Sequence, residues 1–392
     1  MRTQSDGDKL TIFLDGRIDT GNAPRLEAEL FAAIEGKDAA PVLDAEQLEY
    51  ISSAGLRVLM KLRKRYDQPI TVVNVSRDVY DIFETTGFTD LLNVKKALRK
   101  ISVEGLEPIG EGATAKVYRL DQETIVKVFL ENISFDLMIG KEIGKARNAF
   151  VSGVPTAIPY DIVRVGNCYG TVYELLSAKD LGSILISDKE HRDEYVQRFA
   201  GVVREMHQIE ADTAVFDSLK ARSLMILPRL EGVVCSKEEI EKLRLIYENL
   251  PDRNTFIHGD CHPGNVMLQG DEMMFIDLSS SGSGHPIFDM MSMCQMYHIN
   301  AASENARKRT PILRGLSPEE AEHIWRVFLK SYLDTEDEAL IAKAEEQIVG
   351  FSCARMLFAA LALPGIVSEE AMNRFKMKAI QYVEKGLEPI CF

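Results

Sequence analysis

The stretch "FIHGDCHPGNVML", residues 256–268, crowds two histidines, a cysteine, an aspartate and an asparagine between apolar runs. Side chains of these types bind metals, cap turns or move protons. A zinc site on His258, Cys261 and His262 would lack a fourth ligand and the usual paired spacing. Asp260 and Asn265 stand five apart, and Asp277, ending "MMFID", follows twelve residues after Asn265. An amide oxygen and a carboxylate are hard ligands suited to Mg²⁺, which leaves its other positions to water and phosphate. Asp260 is then free to accept a proton. Upstream, Gly110 and Gly112 in "GEGATAKVY" would let backbone approach a phosphate closely. Lys127, inside the apolar "TIVKVFL", must snorkel or meet an anion. Glu142 would hold it by an ion pair. A phosphate-covering loop, a lysine, a metal-binding pair and an aligning base are the parts that phosphoryl transfer needs. Solvated charges, an ordinary glycine hairpin and a polar turn remain the alternatives.

These residues need particular elements to bring them together. "VML", the turn "QGDE" and "MMFI" read as a hairpin that sets Asn265 beside Asp277 at its open end. The glycine loop lies between two strands, Lys127 falls on the second, and Glu142 falls on the helical run "SFDLMIGKEIGKARNAF". From about residue 190 the chain reads as mostly helical. Capping boxes mark two helix starts, Ser236 with Glu239 and Ser317 with Glu320.

The first hundred residues have a different rhythm. "KLTIFLDG", "PVLDAEQLEY" and "ITVVNV" read as strands; "NAPRLEAELFAAIEG", with Asn22 as a cap, "AGLRVLMKLRKRY" and "SRDVYDIFETTG" read as helices. Their alternation predicts a small α/β domain. The basic "KKALRK" at 95–100 reads as the boundary.

Of the net charge of −14, residues 1–100 carry 16 acidic and 15 basic residues, so the remainder holds nearly all of the excess. That disfavours a general nucleic-acid binder and suits a cationic substrate or simple solubility. No signal-peptide pattern opens the chain. "FSCARMLFAALALPGIV" contains Arg355 and Pro364 and reads as a buried helix, not a bilayer span. Six cysteines without paired spacing predict reduced thiols in a cytoplasmic protein with no membrane contact.

Residues from about 104 to 300 resemble the protein-kinase-like fold, and most closely its small-molecule branch, the aminoglycoside phosphotransferases and choline kinases. "HGDCHPGN" is similar to that branch's His-Gly-Asp-x-His-x-x-Asn catalytic loop, and "FIDLSSSGSGHPIFD" to its metal segment. The resemblance implies Asp260 as catalytic base, with His258, His262 and Asp289 bracing the loop. It implies Asn265 and Asp277 as Mg²⁺ ligands. Gly110, Gly112, Thr114, Lys127 and Glu142 would serve the nucleotide. Glu174 and Leu176, in "VYELL", would read adenine through the backbone, which does not exclude GTP. Ala115 departs from the kinase pattern, where a third glycine often stands. Gly259 replaces the arginine common in protein kinases. Only eleven residues separate Asp277 from Asp289, little room for a peptide platform.

Residues 8–98 resemble a STAS domain, the fold of anti-sigma-factor antagonists, through "LDGRIDTGNAPRLEAEL", "VLDAEQLEYISSAGLRVLMKL" and "VNVSRDVYDIFETTGF". The antagonists' phosphorylated serine falls on Ser53, at a helix start where N–H groups would receive a phosphate. A phosphate would add roughly two negative charges and break a partner interface. Ser52 stands where the family often has Asp. A simple capping role for either serine is the alternative.

The expectation is an α/β STAS domain, 1–98, followed by a two-lobed α+β kinase-like domain, 102–392, with lobes of about 102–176 and 177–392. Its expected activity is ATP- and Mg²⁺-dependent transfer of a γ-phosphoryl group to a hydroxyl of an aminoglycoside- or amino-alcohol-like molecule. The STAS part would dock or regulate through a protein partner; nothing fixes the oligomeric state. The alternatives are a regulatory Ser/Thr kinase acting on a STAS serine and a non-catalytic nucleotide-binding module.

Overall fold

The computed structural model describes residues 1–392 apart from 8, 113, 132–138, 363, 364 and 366. The chain divides into two compact units, Met1–Ser102 with Val163–Gly166, and Val103–Ile162 with Asn167–Phe392.

In the first unit the chain runs β1 (Arg2–Asp6), β2 (Lys9–Ile18), α1 (Ala23–Ala33), β3 (Val42–Ile51), α2 (Ser53–Arg63), β4 (Thr71–Val75), α3 (Arg77–Thr85), α4 (Phe88–Leu91), β5 (Asn93–Lys96) and β6 (Arg99–Ile101). The first five strands form a sheet in chain order, with β1 antiparallel to β2 and the rest parallel. Period-two alternation sends Leu10, Ile12 and Leu14 of β2 inward, against Leu56, Leu59 and Leu62 of α2 and Val79 and Phe83 of α3. Asn22 does sit at the head of α1 but makes no capping bond. Its amide oxygen instead accepts the Asp19 N–H at 2.9 Å, and its amide nitrogen donates to the Arg17 carbonyl at 2.6 Å, closing the preceding loop. The edge strands β1 and β5 carry too little apolar periodicity to be read from sequence.

After β6 the chain continues with β7 (Pro108–Glu111), β8 (Ala115–Arg119), β9 (Thr124–Phe129), α5 (Gly140–Val151), β10 (Pro159–Val165) and β11 (Cys168–Glu174). These strands lie side by side in the order β10, β11, β9, β8, β7. The first part of the run expected as a helix, 134–138, lies outside the described residues. Next come β12 (Lys179–Asp180), α6 (Leu181–Ser187), α7 (Arg192–Met206), α8 (Leu219–Ile226) and α9 (Lys237–Glu248). They are followed by β13 (Thr255–Ile257), β14 (Val266–Gln269), β15 (Glu272–Phe275), β16 (Gly282–Gly284) and α10 (Ile287–Met293). The chain closes with α11 (Glu304–Arg309), α12 (Pro318–Leu333), α13 (Glu338–Met356), α14 (Ala359–Ala362) and α15 (Glu369–Glu384).

Both capping boxes form, at Ser236 and Ser317. The helices enclose an aromatic core in which Phe199 of α7 meets Phe328 of α12 with ring centroids 5.3 Å apart. The late apolar stretch is not one helix: α13 ends at Met356 and α14 starts at Ala359. Among the described residues no helix is long and apolar enough to cross a membrane.

Candidate functional site

Two-residue closure through Gly270 and Asp271 pairs β14 with β15 from Gln269 opposite Glu272 to Val266 opposite Phe275. The residues flanking this hairpin are Asn265 and Ile276, and the Ile276 N–H donates to the Asn265 carbonyl at 2.9 Å. Asp277 follows in the left-handed region at φ 60°, which turns its side chain out of the strand path.

Asp277 meets the lysine. Lys127 Nζ lies 2.8 Å from Glu142 Oε1 and 3.4 Å from Asp277 Oδ1. Only 18 % of the Lys127 side chain is exposed. Burial alone would lower its pKa, but the two carboxylates outweigh that and hold it above the ordinary lysine value. For Asp277 burial pulls upward, and the Lys127 charge and a 2.8 Å bond from the Ser279 hydroxyl overcome it, so its carboxyl titrates below the usual range. The Tyr173 hydroxyl donates to Glu142 at 3.4 Å from β11.

Asp260 sits across the loop. The Asn265 amide nitrogen donates to its carbonyl at 2.9 Å and to its Oδ2 at 3.2 Å. Both bonds use the nitrogen and leave the amide oxygen out. His258 accepts the Asp260 N–H on Nδ1 at 3.3 Å and faces the Ile276 carbonyl with Nε2 at 3.1 Å. That ring therefore ties the loop to the end of the hairpin. His262 accepts the Gly264 N–H on Nδ1 at 3.1 Å, and its Nε2 is 3.8 Å from Asp260 Oδ2. Burial lowers the His262 pKa against the pull of Asp260, which favours the neutral ring these bonds require.

Asp289, fully buried on α10, accepts the N–H groups of His258 at 2.9 Å and Gly259 at 2.7 Å. Burial would raise its pKa; the His207 bond and charge and the His258 contacts keep it lowered. Three supports were not legible in the sequence. His207 Nε2 approaches Asp289 Oδ2 at 3.0 Å, with the Tyr332 hydroxyl on its other nitrogen at 2.8 Å. Arg355 of α13 donates to the Gly259 carbonyl and the Ser292 hydroxyl, each at 2.8 Å. Lys145 of α5 donates to the carbonyls of Ser279 at 3.2 Å and Ser281 at 2.5 Å. Each is a basic residue in an ordinary helical pattern, and only the folded chain reveals its partner.

The glycine loop is the β7–β8 turn. Gly110 and Gly112 have ordinary backbone angles, and an added Cβ would meet nothing nearer than 3.7 Å. Protein packing therefore does not demand glycine at either position. Thr114 is exposed beside them, and its carbonyl accepts the Leu130 N–H at 3.0 Å. At the end of β11 the Glu174 N–H is used by the Ile158 carbonyl, the Leu175 N–H by the Glu123 carbonyl, and the Leu176 carbonyl by Ala178. Cys261 is fully buried, and burial raises its thiol pKa well above the ordinary value. Among the described residues the His, Cys, Asp and Glu side chains close enough to share a metal are His298, Glu322 and Glu345, not the group around Cys261.

In the first unit Ser52, not Ser53, caps α2, accepting the Gly55 N–H at 3.4 Å. Ser53 is the first helical residue and is exposed.

Comparison with known proteins places both parts of the chain. Residues 105–323, more than half of the chain, match the phosphotransferase enzyme family, and the protein belongs to it. Residues 1–101 match the STAS domain. The protein is thus a phosphotransferase of kinase-like fold carrying an N-terminal STAS domain. The Bordetella bronchiseptica protein BtrV, assigned as an anti-sigma factor antagonist, is 37% identical over 84 residues, which make up 21% of this chain and 72% of that protein. A solved choline/ethanolamine kinase family protein from Mesorhizobium loti aligns with a TM-score of 0.46 and 15% identity, covering 72% of this chain and 92% of that one. An aminoglycoside-3'-phosphotransferase of type VIII aligns with a TM-score of 0.41 and 20% identity, covering 71% and 91%.

Proposed function

We propose that the second unit transfers the γ-phosphoryl group of ATP to a hydroxyl of a small molecule, in a Mg²⁺-dependent reaction. The observation that carries this reading is the continuous chain of contacts Glu142–Lys127–Asp277, with Asn265 linking the hairpin to Asp260. Lys127, held by Glu142, would contact the α and β phosphates, with Gly110, Gly112 and Thr114 covering them. The donor set suits a hard divalent cation: the Asn265 amide oxygen is uncommitted and the Asp277 carboxyl is held ionised. Asn265 and Asp277 would hold Mg²⁺, which when bound neutralises charge on the phosphate oxygens.

Asp260, with 48 % of its side chain exposed, can face an acceptor. It would take the proton as the acceptor oxygen bonds to the γ phosphorus and the bond to the ADP oxygen breaks. His258, His262 and Asp289 fix the loop that carries it. The adenine would lie against the Glu174–Leu176 segment, and a backbone-read base leaves GTP as a second donor to test. The short interval from Asp277 to Asp289 supports a small acceptor over a peptide. The excess of acid after residue 100 suits an amine-bearing one, such as an aminoglycoside or amino alcohol.

For the STAS domain the reading is docking of a protein partner, with exposed Ser53 as the residue whose phosphorylation would release it. Release of ADP measured across panels of aminoglycosides, amino alcohols, sugars and nucleosides tests the transfer. Asp260→Ala should abolish the signal for the accepted compound while nucleotide binding persists. Equal turnover by the variant would overturn the assignment of Asp260.

A further inference from the structure

Lys145 is 7 % exposed, and its recorded hydrogen bonds go to two backbone carbonyls, not to a carboxylate. Those carbonyls, of Ser279 and Ser281, belong to the turn that leaves Asp277. The Ser280 carbonyl between them accepts from Arg222 of α8 at 3.3 Å. The Leu278 carbonyl accepts the Ser281 N–H and hydroxyl. Four successive carbonyls thus point at donors, two of which are cations. The same turn holds Asp277 through the Ser279 hydroxyl, and it lies on Gly259, where an added Cβ would fall 2.4 Å from the Ser280 oxygen.

Lys145 shares α5 with Glu142, three residues earlier, so one helix face grips both sides of the site. Glu142 reaches the phosphate lysine, and Lys145 reaches the turn that aims Asp277. Both bonds depend on where α5 sits.

We propose that Lys145 is a positioning residue that couples the placement of α5 to the orientation of Asp277, so that the lysine and the metal-binding carboxylate are set or released together. This rests on the reading of Asp277 as a metal ligand. The charge is costly where it sits. Burial, with Arg222 and Lys141 nearby and only Asp217 and Glu142 opposing them, pushes the Lys145 pKa down to about 8. A cation kept against that cost is poorly explained by packing.

The test uses the full chain as wild type, Lys145→Met and Lys145→Arg, with Mn²⁺ and ADP as the probe. Mn²⁺ affinity is read by electron paramagnetic resonance, and amide exchange over 278–284 by mass spectrometry. Removing a support of this kind typically costs roughly 10–100-fold in metal affinity. Lys145→Met should show a loss in that range, with faster exchange confined to the segment and an unfolding temperature no lower than that of wild type at pH 7. Lys145→Arg should recover part of the affinity. Unchanged Mn²⁺ affinity in Lys145→Met, or exchange that rises across the whole unit, would overturn the proposal. A wild type that takes up no Mn²⁺ with ADP would instead overturn the metal-site reading beneath it. Should Lys145→Met fail to fold, Lys145→Gln, which is shorter and uncharged, must show the same affinity loss for the proposal to stand.

Discussion

The two half-exposed carboxylates of the candidate site have different partners: Asp260 accepts from the Asn265 amide, and Asp277 is ion-paired to Lys127. On the proposed mechanism, replacing Asp260 by Asn would remove the proton acceptor and keep the shape. General-base contributions of roughly 10²–10⁴-fold lead to a fall in kcat of that size, with nucleotide KM little changed in steady-state assays. Asp289 is a structural contrast. Asp289→Ala would leave two buried N–H groups and His207 without their acceptor, and breaking such buried pairs costs about 3–5 kcal/mol, measurable by denaturant unfolding. The Lys145 pKa of about 8 lies below the ordinary 10.5, so between those values the unfolded chain holds more protons. Wild-type stability relative to Lys145→Met should therefore rise as pH increases from about 8 to 10. A flat difference between the two proteins across that range would show that the lysine is not so depressed. Asp260, Asn265 and Asp277 were legible because their loop and hairpin are contiguous. His207, Lys145 and Arg355 were not, since their partners lie 82 to 136 residues away, and for the two cations those partners are mainly backbone carbonyls, which have no sequence signature.

At the scale of elements, the hairpin β14–β15 and helix α5 do most of the placing. The hairpin was readable from its turn and its two apolar runs, as were the capped helices α9 and α12. The edge strand β1 was not, because a polar edge strand is defined by its neighbour's hydrogen bonds more than by its own side chains. The Asn22 cap is absent because its amide oxygen, the atom that would accept a helix N–H, accepts the Asp19 N–H at 2.9 Å. Gly259 shows how tightly the elements approach. Its φ of 81° disfavours any L side chain, and a Cβ would collide with the backbone of the turn clamped by Lys145. Gly259→Ala should cost roughly 1–3 kcal/mol from backbone strain alone. It should also displace Asp260, so that turnover falls more than stability does, a comparison made with kinetics and thermal unfolding side by side.

Over the whole molecule, the two units keep separate apolar cores, one beneath the STAS sheet and one among the helices of the second unit. Unfolding should therefore depart from a single two-state transition in calorimetry. Saturation with nucleotide and Mg²⁺ at 100 times Kd should stabilise the second unit by about 2.7 kcal/mol, moving its transition and leaving that of the STAS unit in place. The domain sequence was legible from the change in rhythm near residue 100; the path by which the late helices close over the catalytic motif was not. Arg355 reaches back 96 residues to hold the Gly259 carbonyl. During synthesis at about 5–20 residues per second, the motif "HGDCHPGN" emerges several seconds before the arginine that fastens it. The newborn chain thus carries the loop before it has the side chain that fastens the loop's backbone, and α13 is the point in translation at which that bond can first form.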